Sequence, residues 1–206
     1  SKRTYLDTNQ PFSKSPNFHN SITIEENIVD DYFINESFDV YYSYKNNNEP
    51  YLITSDKDNS IKITQLKDKK LIKRLEGHSS PVIYLKHFFN KKTNTDYLLS
   101  IEKSYTLINI YNLSSNYSIR QKIELANTIV KDALLIFDSN LKNDYIILSI
   151  TNEANPPEER ISIYSFETGI LKRDVINHNL KTYYMLSWFN EDNDNYYILA
   201  FCVGKI

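Results

Sequence analysis

Apolar and polar residues alternate along most of this chain, and short polar tracts break the alternation at regular distances. Residues 51–66 read YLITSDKDNSIKITQL, and after the link KDKKLIKRLE come GHSSPVIYLKHFF, the polar NKKTNTD, and YLLSIEKSYTLINIYNL. Blocks of alternating apolar and β-branched residues are strand patterns, and the intervening clusters of Asn, Asp, Lys and Ser are turns. Strand follows strand with no helical period between. Tyr51, Tyr97, Tyr145 and Tyr196 each open a strand, at intervals of 46, 48 and 51 residues. A polar tract precedes each one: KNNNEP, NKKTNTD, DSNLKND and NEDNDN.

Each interval holds four strands, as in residues 82–88, 97–102, 106–112 and 117–124. Residues 20–25 (NSITIE) nearly duplicate residues 59–64 (NSIKIT), which marks another copy of the same strand. A four-stranded antiparallel unit repeated at a little over 40 residues predicts an all-β chain built as a β-propeller, with about four blade-equivalents. Two strands at the start, twelve in the middle and two at the end make sixteen. They could close a four-bladed ring, form an arc of a larger propeller, or leave a closing surface to a partner chain. Residues 1–19 are polar, contain Pro11 and Pro16, and read as an N-terminal arm, with the propeller over residues 20–206.

The residues also resemble a known family. Gly77-His78, followed by Val82 and Leu85, looks like the opening of a tryptophan-aspartate (WD) repeat. Residues 51–66 are similar to that family's second and third strands, with Asp58 as the turn aspartate. Residues 166–171 (FETGIL), followed by Asn177-His178, resemble its passage into the next blade. The resemblance covers residues 20–206 and implies structural turn roles for His78, Asp58 and His178. Its tetrad of His, Ser or Thr, Asp and Trp is incomplete in every unit: Thr64 and Tyr111 stand where Trp is expected, and Ser104 and Tyr105 replace an Asp. Cohesion is therefore expected to rest on apolar packing between sheets more than on buried polar networks.

Composition narrows the function. Net charge is −2, which gives no global field for nucleic acid or an anionic membrane. One cysteine, Cys202, leaves no disulfide framework or multi-cysteine metal site and suits the reducing cytoplasm, or the nucleus. No apolar run spans a bilayer. Only 3 glycines are present, so strand ends must be turned by Asn and Asp, which tolerate left-handed backbone.

No nucleophile motif surrounds any Ser or Cys202, and no metal or cofactor is implied. His87 stands at a core position and reads as a satisfied, partly buried histidine. The basic run Lys67, Lys69, Lys70, Lys73 and Arg74 falls on an outermost strand, where lysines block edge pairing. Residues 151–160 (TNEANPPEER) look like a longer, stiff, projecting loop compared with the turns at 56–59 and 102–105. The resemblance implies a non-enzymatic interaction module, part of a multiprotein complex. It would bind a peptide or protein through loops carrying Lys57, Asn59, Ser79, Lys103, Tyr105, Glu153, Pro157 and Glu158. The alternative is an RNA-binding propeller using residues 67–74.

Overall fold

The computed structural model describes residues 4–5, 22–23, 37–104, 107–137, 143–152, 157–176, 180–190 and 195–204. The chain is all-β, with sixteen strands described. Three four-stranded antiparallel sheets follow one another along the chain. The first is β3 (Phe38–Ser43), β4 (Glu49–Ser55), β5 (Ile61–Gln65) and β6 (Lys70–Leu75). The second is β7 (Val82–Asn90), β8 (Thr95–Glu102), β9 (Leu107–Asn112) and β10 (Ser118–Glu124). The third is β11 (Thr128–Phe137), β12 (Asp144–Asn152), β13 (Glu158–Ser165) and β14 (Leu171–Ile176). Two-stranded pairs stand at either end, β1 (Thr4–Tyr5) with β2 (Ile22–Thr23) and β15 (Leu180–Asn190) with β16 (Asn195–Gly204). The only helical element described is a single 3-10 turn, Tyr44–Asn46, and none of the described residues forms a helix able to cross a membrane.

The sheets are copies in detail as well as in outline. The first strand of each of the last three carries one extra residue near its start, Ile83, Lys131 and Tyr183, where the pairing register slips. The fourth strand of each four-stranded sheet carries another, Ile72, Arg120 and Lys172. Bulges sharpen local twist, and the second and third sheets carry both of them at matching places.

Stacking builds the core. β3 lies against β7, and β11 against β15. One apolar cluster joins Tyr41, Tyr51, Ile53 and Ile63 of the first sheet to Leu85, Leu98 and Tyr111 of the second. A larger one joins Leu99, Ile101, Ile108 and Ile110 of the second to the third sheet and to Met185 of β15. Leu98 and Leu99 are neighbours whose side chains point to opposite faces. Both are fully buried, so the second sheet is covered on both sides. That coverage explains why β8 and β12 read as continuous apolar runs, whereas β4, at the end of the stack, alternates buried and half-buried.

Asparagine does turn the strands. Asn47, Asn48, Asn59, Asn94, Asn116 and Asn127 all have positive φ. Two turns use glycine instead: Gly77, with φ 120° and the Ile119 side chain 3.3 Å from where a Cβ would stand, and Gly169, with φ 68° and the Gln121 side chain against the same place. One expectation needs correction. β12 and β13 stay paired out to Asn152 opposite Glu158, so only residues 153–157 intervene. Residues 56–60 span the same gap in the first sheet, and the segment with the paired prolines is no longer than its counterpart. Apolar clusters do join the sheets, as expected, and a buried polar network is added at the turn described next.

Candidate functional site

Within each four-stranded sheet the link from second to third strand and the exit from the fourth lie at the same end. Register requires it: Phe38 faces Thr54, Lys62 faces Thr54, and Arg74 faces Lys62. The rim at that end gathers several of the residues singled out in the sequence. Asn59, at φ 66°, donates its side-chain amide to the Ser79 carbonyl at 3.2 Å, which ties the first sheet's turn to the entry of the second. Ser80 and Ser104 hydroxyls meet at 3.4 Å, and Lys103 N–H donates to the Pro81 carbonyl at 2.7 Å. Lys57, Ser79 and Lys103 are exposed on this rim. Asp58 accepts from the Ser60 hydroxyl at 2.5 Å and the Ser60 N–H at 3.1 Å, and Arg74 closes on Asp58, Asp56 and Ser60. Those bonds from Ser60 hold the Asp58 carboxyl below its ordinary range.

Pro157 is exposed and Glu158 opens β13, its carboxylate 2.5 Å from the Arg160 guanidinium. Both belong to the third sheet, and among the described residues no hydrogen bond ties them to the rim of the first two. Tyr105, Glu153 and His178 lie outside the described residues, as does His19.

Beneath the rim sits the network that sequence reasoning missed. His78 Nε2 accepts from the Ser100 hydroxyl at 2.7 Å, and Nδ1–H points to Glu102 at 3.4 Å, the tautomer this network favours. Glu102 also accepts the Ser79 N–H at 3.0 Å and the Ser104 hydroxyl at 2.5 Å. Asn109 lies 3.2 Å from His78 Nε2 and 3.3 Å from the Tyr111 hydroxyl, which itself donates to the Glu76 carbonyl at 3.1 Å. Apolar packing alone therefore does not hold the second sheet, because buried polar groups lock its entry turn as well. Ser100, Glu102 and Asn109 occupy positions that strand alternation alone cannot distinguish from ordinary strand residues.

Ser100, His78 and Glu102 stand in the order of a hydrolase triad, but Ser100 is 0% exposed, so no substrate carbonyl reaches its oxygen. The trio holds the turn. Burial lowers the His78 pKa, with Glu102 opposing, so the imidazole is neutral in the folded chain at pH 7. The unfolded chain binds that proton more readily, and stability is expected to fall as pH drops below the ordinary 6.5 and on through the lowered value. Urea midpoints measured between neutral pH and pH 5 should fall, and His78→Gln should flatten that part of the slope.

A second feature lies between the outer parts of the first two sheets, an open groove of about 540 Å³ lined by Lys45, Lys73, Ser114, Asn116 and Tyr117. Lys45 bridges the sheets through the Ser114 carbonyl at 2.5 Å. The basic run sits where an edge strand should, with β6 outermost in its sheet. Two of its cations already face carboxylates, Lys67 toward Glu49 and Arg74 toward Asp56 and Asp58. His87 is buried as expected, 2.9 Å from Asp96 and stacked on Tyr41. No group of three or more His, Cys, Asp or Glu among the described residues is placed to hold a metal ion.

No protein-family model matches the chain, and no curated protein is similar to it. Among solved structures it is similar to the computationally designed Ika4 protein, at 13% identity and a TM-score of 0.48 over 73% of this chain and 84% of that one. It is also similar to the designed Ika8 protein, at 13% identity and a TM-score of 0.49, again over 73% of this chain but only 43% of that one. Backbone likeness at this level carries no argument about fold or function.

Proposed function

We propose that the stacked sheets are blades of a degenerate WD-repeat propeller and that the chain is a non-enzymatic interaction module, holding a peptide or protein partner on the rim that carries Lys57, Asn59, Ser79 and Lys103. The observation that supports this reading best is the bonded rim itself. Asn59 to Ser79, Ser80 to Ser104 and the buried His78–Glu102 turn fix neighbouring loops before any partner arrives. Pre-ordered loops lose less entropy on binding, and their exposed lysines select a partner by charge. The rival reading, RNA along β6, draws support from the groove in which Lys45 and Lys73 flank Tyr117.

Affinity capture with the 206-residue chain separates the two. A protein retained at fixed ratio, and bound about 10-fold more weakly by the Lys57→Glu/Lys103→Glu variant, supports the rim; that loss corresponds to about 1.4 kcal/mol. RNA retained in a salt-dependent manner, and lost in Lys70→Glu/Lys73→Glu while the rim variant behaves as the parent, overturns it.

A further inference from the structure

The groove between the outer parts of the first two sheets does not end at Lys73, Asn116 and Tyr117. From these three residues it continues for about a further 330 Å³ past Arg74, Glu76 and Ile119. The two stretches differ in charge. Lys45 and Lys73 line the first, and among the described residues no carboxylate does. Asp96 lies behind Ser114, but it is 1% exposed and faces His87. In a chain of net charge −2 the first stretch is therefore a local excess of positive charge. Lys73 meets no carboxylate among the described residues, whereas Arg74 is held by Asp56 and Asp58. Glu76 makes the second stretch the acidic end.

We propose that this groove binds a small phosphomonoester of a hydroxylated body, a sugar phosphate or a nucleoside monophosphate, with the phosphate between Lys45 and Lys73 and the body directed toward Glu76. Charge selects the phosphate. A phosphomonoester carries about −1.5 to −2 at pH 7, which two ammoniums neutralise, whereas a single carboxylate would leave one of them uncompensated. Its terminal oxygens can accept from both lysines and from the Asn116 amide, which lines the same stretch. Glu76 sets the direction, because a carboxylate repels phosphate and accepts from hydroxyl groups.

Geometry selects a small molecule over a strand of RNA. Lys45, on the side away from the second stretch, gives one of its three donors to the Ser114 carbonyl of the second sheet and so bars that end of the groove. A terminal phosphate stops at the bar, but the internal phosphodiesters of a strand would have to pass through it. The first stretch, at about 540 Å³, falls within the ~300–1,000 Å³ of small-molecule sites. Its walls are also ordered in advance. The Asn46 amide donates to the Tyr51 hydroxyl at 2.8 Å, and Tyr117, held at φ 56°, shares a hydrogen bond with Tyr41. Walls fixed before the ligand arrives lose little entropy on binding.

Titration calorimetry of the 206-residue chain with ribose 5-phosphate, adenosine 5′-monophosphate and inorganic phosphate tests this. One ester at least should saturate a single site, about 10-fold or more tighter than inorganic phosphate. Equal affinity for the two esters assigns a sugar phosphate, and tighter binding of the nucleotide assigns a base contact as well; both support the site. Lys45→Gln and Lys73→Gln should each weaken binding about 10-fold or more, the worth of a charge-assisted bond, with circular dichroism unchanged because both side chains are exposed. Lys70→Gln, on the same strand but outside the groove, should bind as the parent does. So should Lys57→Glu/Lys103→Glu, which keeps this site's fate separate from that of the rim. Neither ester saturating by about 10 mM, inorganic phosphate binding as tightly as both, or Lys70→Gln losing as much as Lys73→Gln would each overturn the proposal. An oligouridylate without terminal phosphates that bound more tightly than the esters would overturn it in favour of RNA.

Discussion

Replacing Asp132 by alanine is expected to cost about 3–5 kcal/mol, the penalty for breaking a buried charge out of its partners. Asp132 is 3% exposed, and one carboxylate serves three strands. It accepts the Met185 N–H of β15 at 2.6 Å, the Tyr84 hydroxyl of β7 at 2.6 Å and the Ala133 N–H of its own strand at 2.9 Å. Lys86 of β7 stands 3.7 Å away. Alanine strands the Met185 N–H in an apolar surround, and each unsatisfied buried group costs about 1–3 kcal/mol. The Tyr84 hydroxyl keeps a fallback in the Ala133 carbonyl at 3.3 Å, so Met185 carries most of the loss. Against a total stability of about 5–15 kcal/mol, the variant should show a large drop in urea midpoint. Asp132→Asn keeps one acceptor and should lose roughly half as much. A midpoint within 1 kcal/mol of the parent in Asp132→Ala would mean that the carboxylate does not join β7, β11 and β15.

The same device recurs between the first two sheets, where the Asp39 carboxylate accepts the His87 N–H at 2.5 Å and is held above its ordinary pKa by burial. Neither aspartate was legible as an inter-sheet clasp. Alternation identifies a polar residue inside a strand as one that faces solvent, and both sit on the first strand of a sheet, β3 or β11, which lies against a neighbouring sheet. The strands themselves were legible, because period-2 patterning and Asn-rich tracts are local signals that need no knowledge of what packs on them. YLLSI and YIILSI show more, since consecutive apolar residues on one strand mean two covered faces. By the same logic YYILAF predicts two covered faces for β16, yet Leu199 and Phe201 are half exposed, because a sequence records which surfaces are apolar and not what covers them. Of the rim, Asn59, Ser79 and the Gly77-His78 turn were named through the resemblance to the WD repeat. Glu102 was not, because its partners reach it from residues 23 positions away at Ser79.

Leu98→Ala and Leu99→Ala test the stacked architecture most directly, and each is expected to cost about 2–5 kcal/mol. Both leucines are 0% exposed, but Leu98 fills the cluster against the first sheet and Leu99 the cluster against the third. In a simple two-sheet sandwich, one of two consecutive strand residues faces solvent and its truncation costs little. Here both should be costly. Residues on opposite faces of a sheet share few neighbours, so the two losses should nearly add, to about 4–10 kcal/mol, which leaves the double variant largely unfolded. The first sheet supplies the contrast within one protein: Ile53 is 0% exposed while its neighbour Leu52 is only half-buried, so Ile53→Ala should cost about 2–5 kcal/mol and Leu52→Ala well under that. Urea denaturation followed by circular dichroism measures all five. If Leu98→Ala behaved like Leu52→Ala, the second sheet would be covered on one side only, and the serial stacking that positions the rim would fail with it.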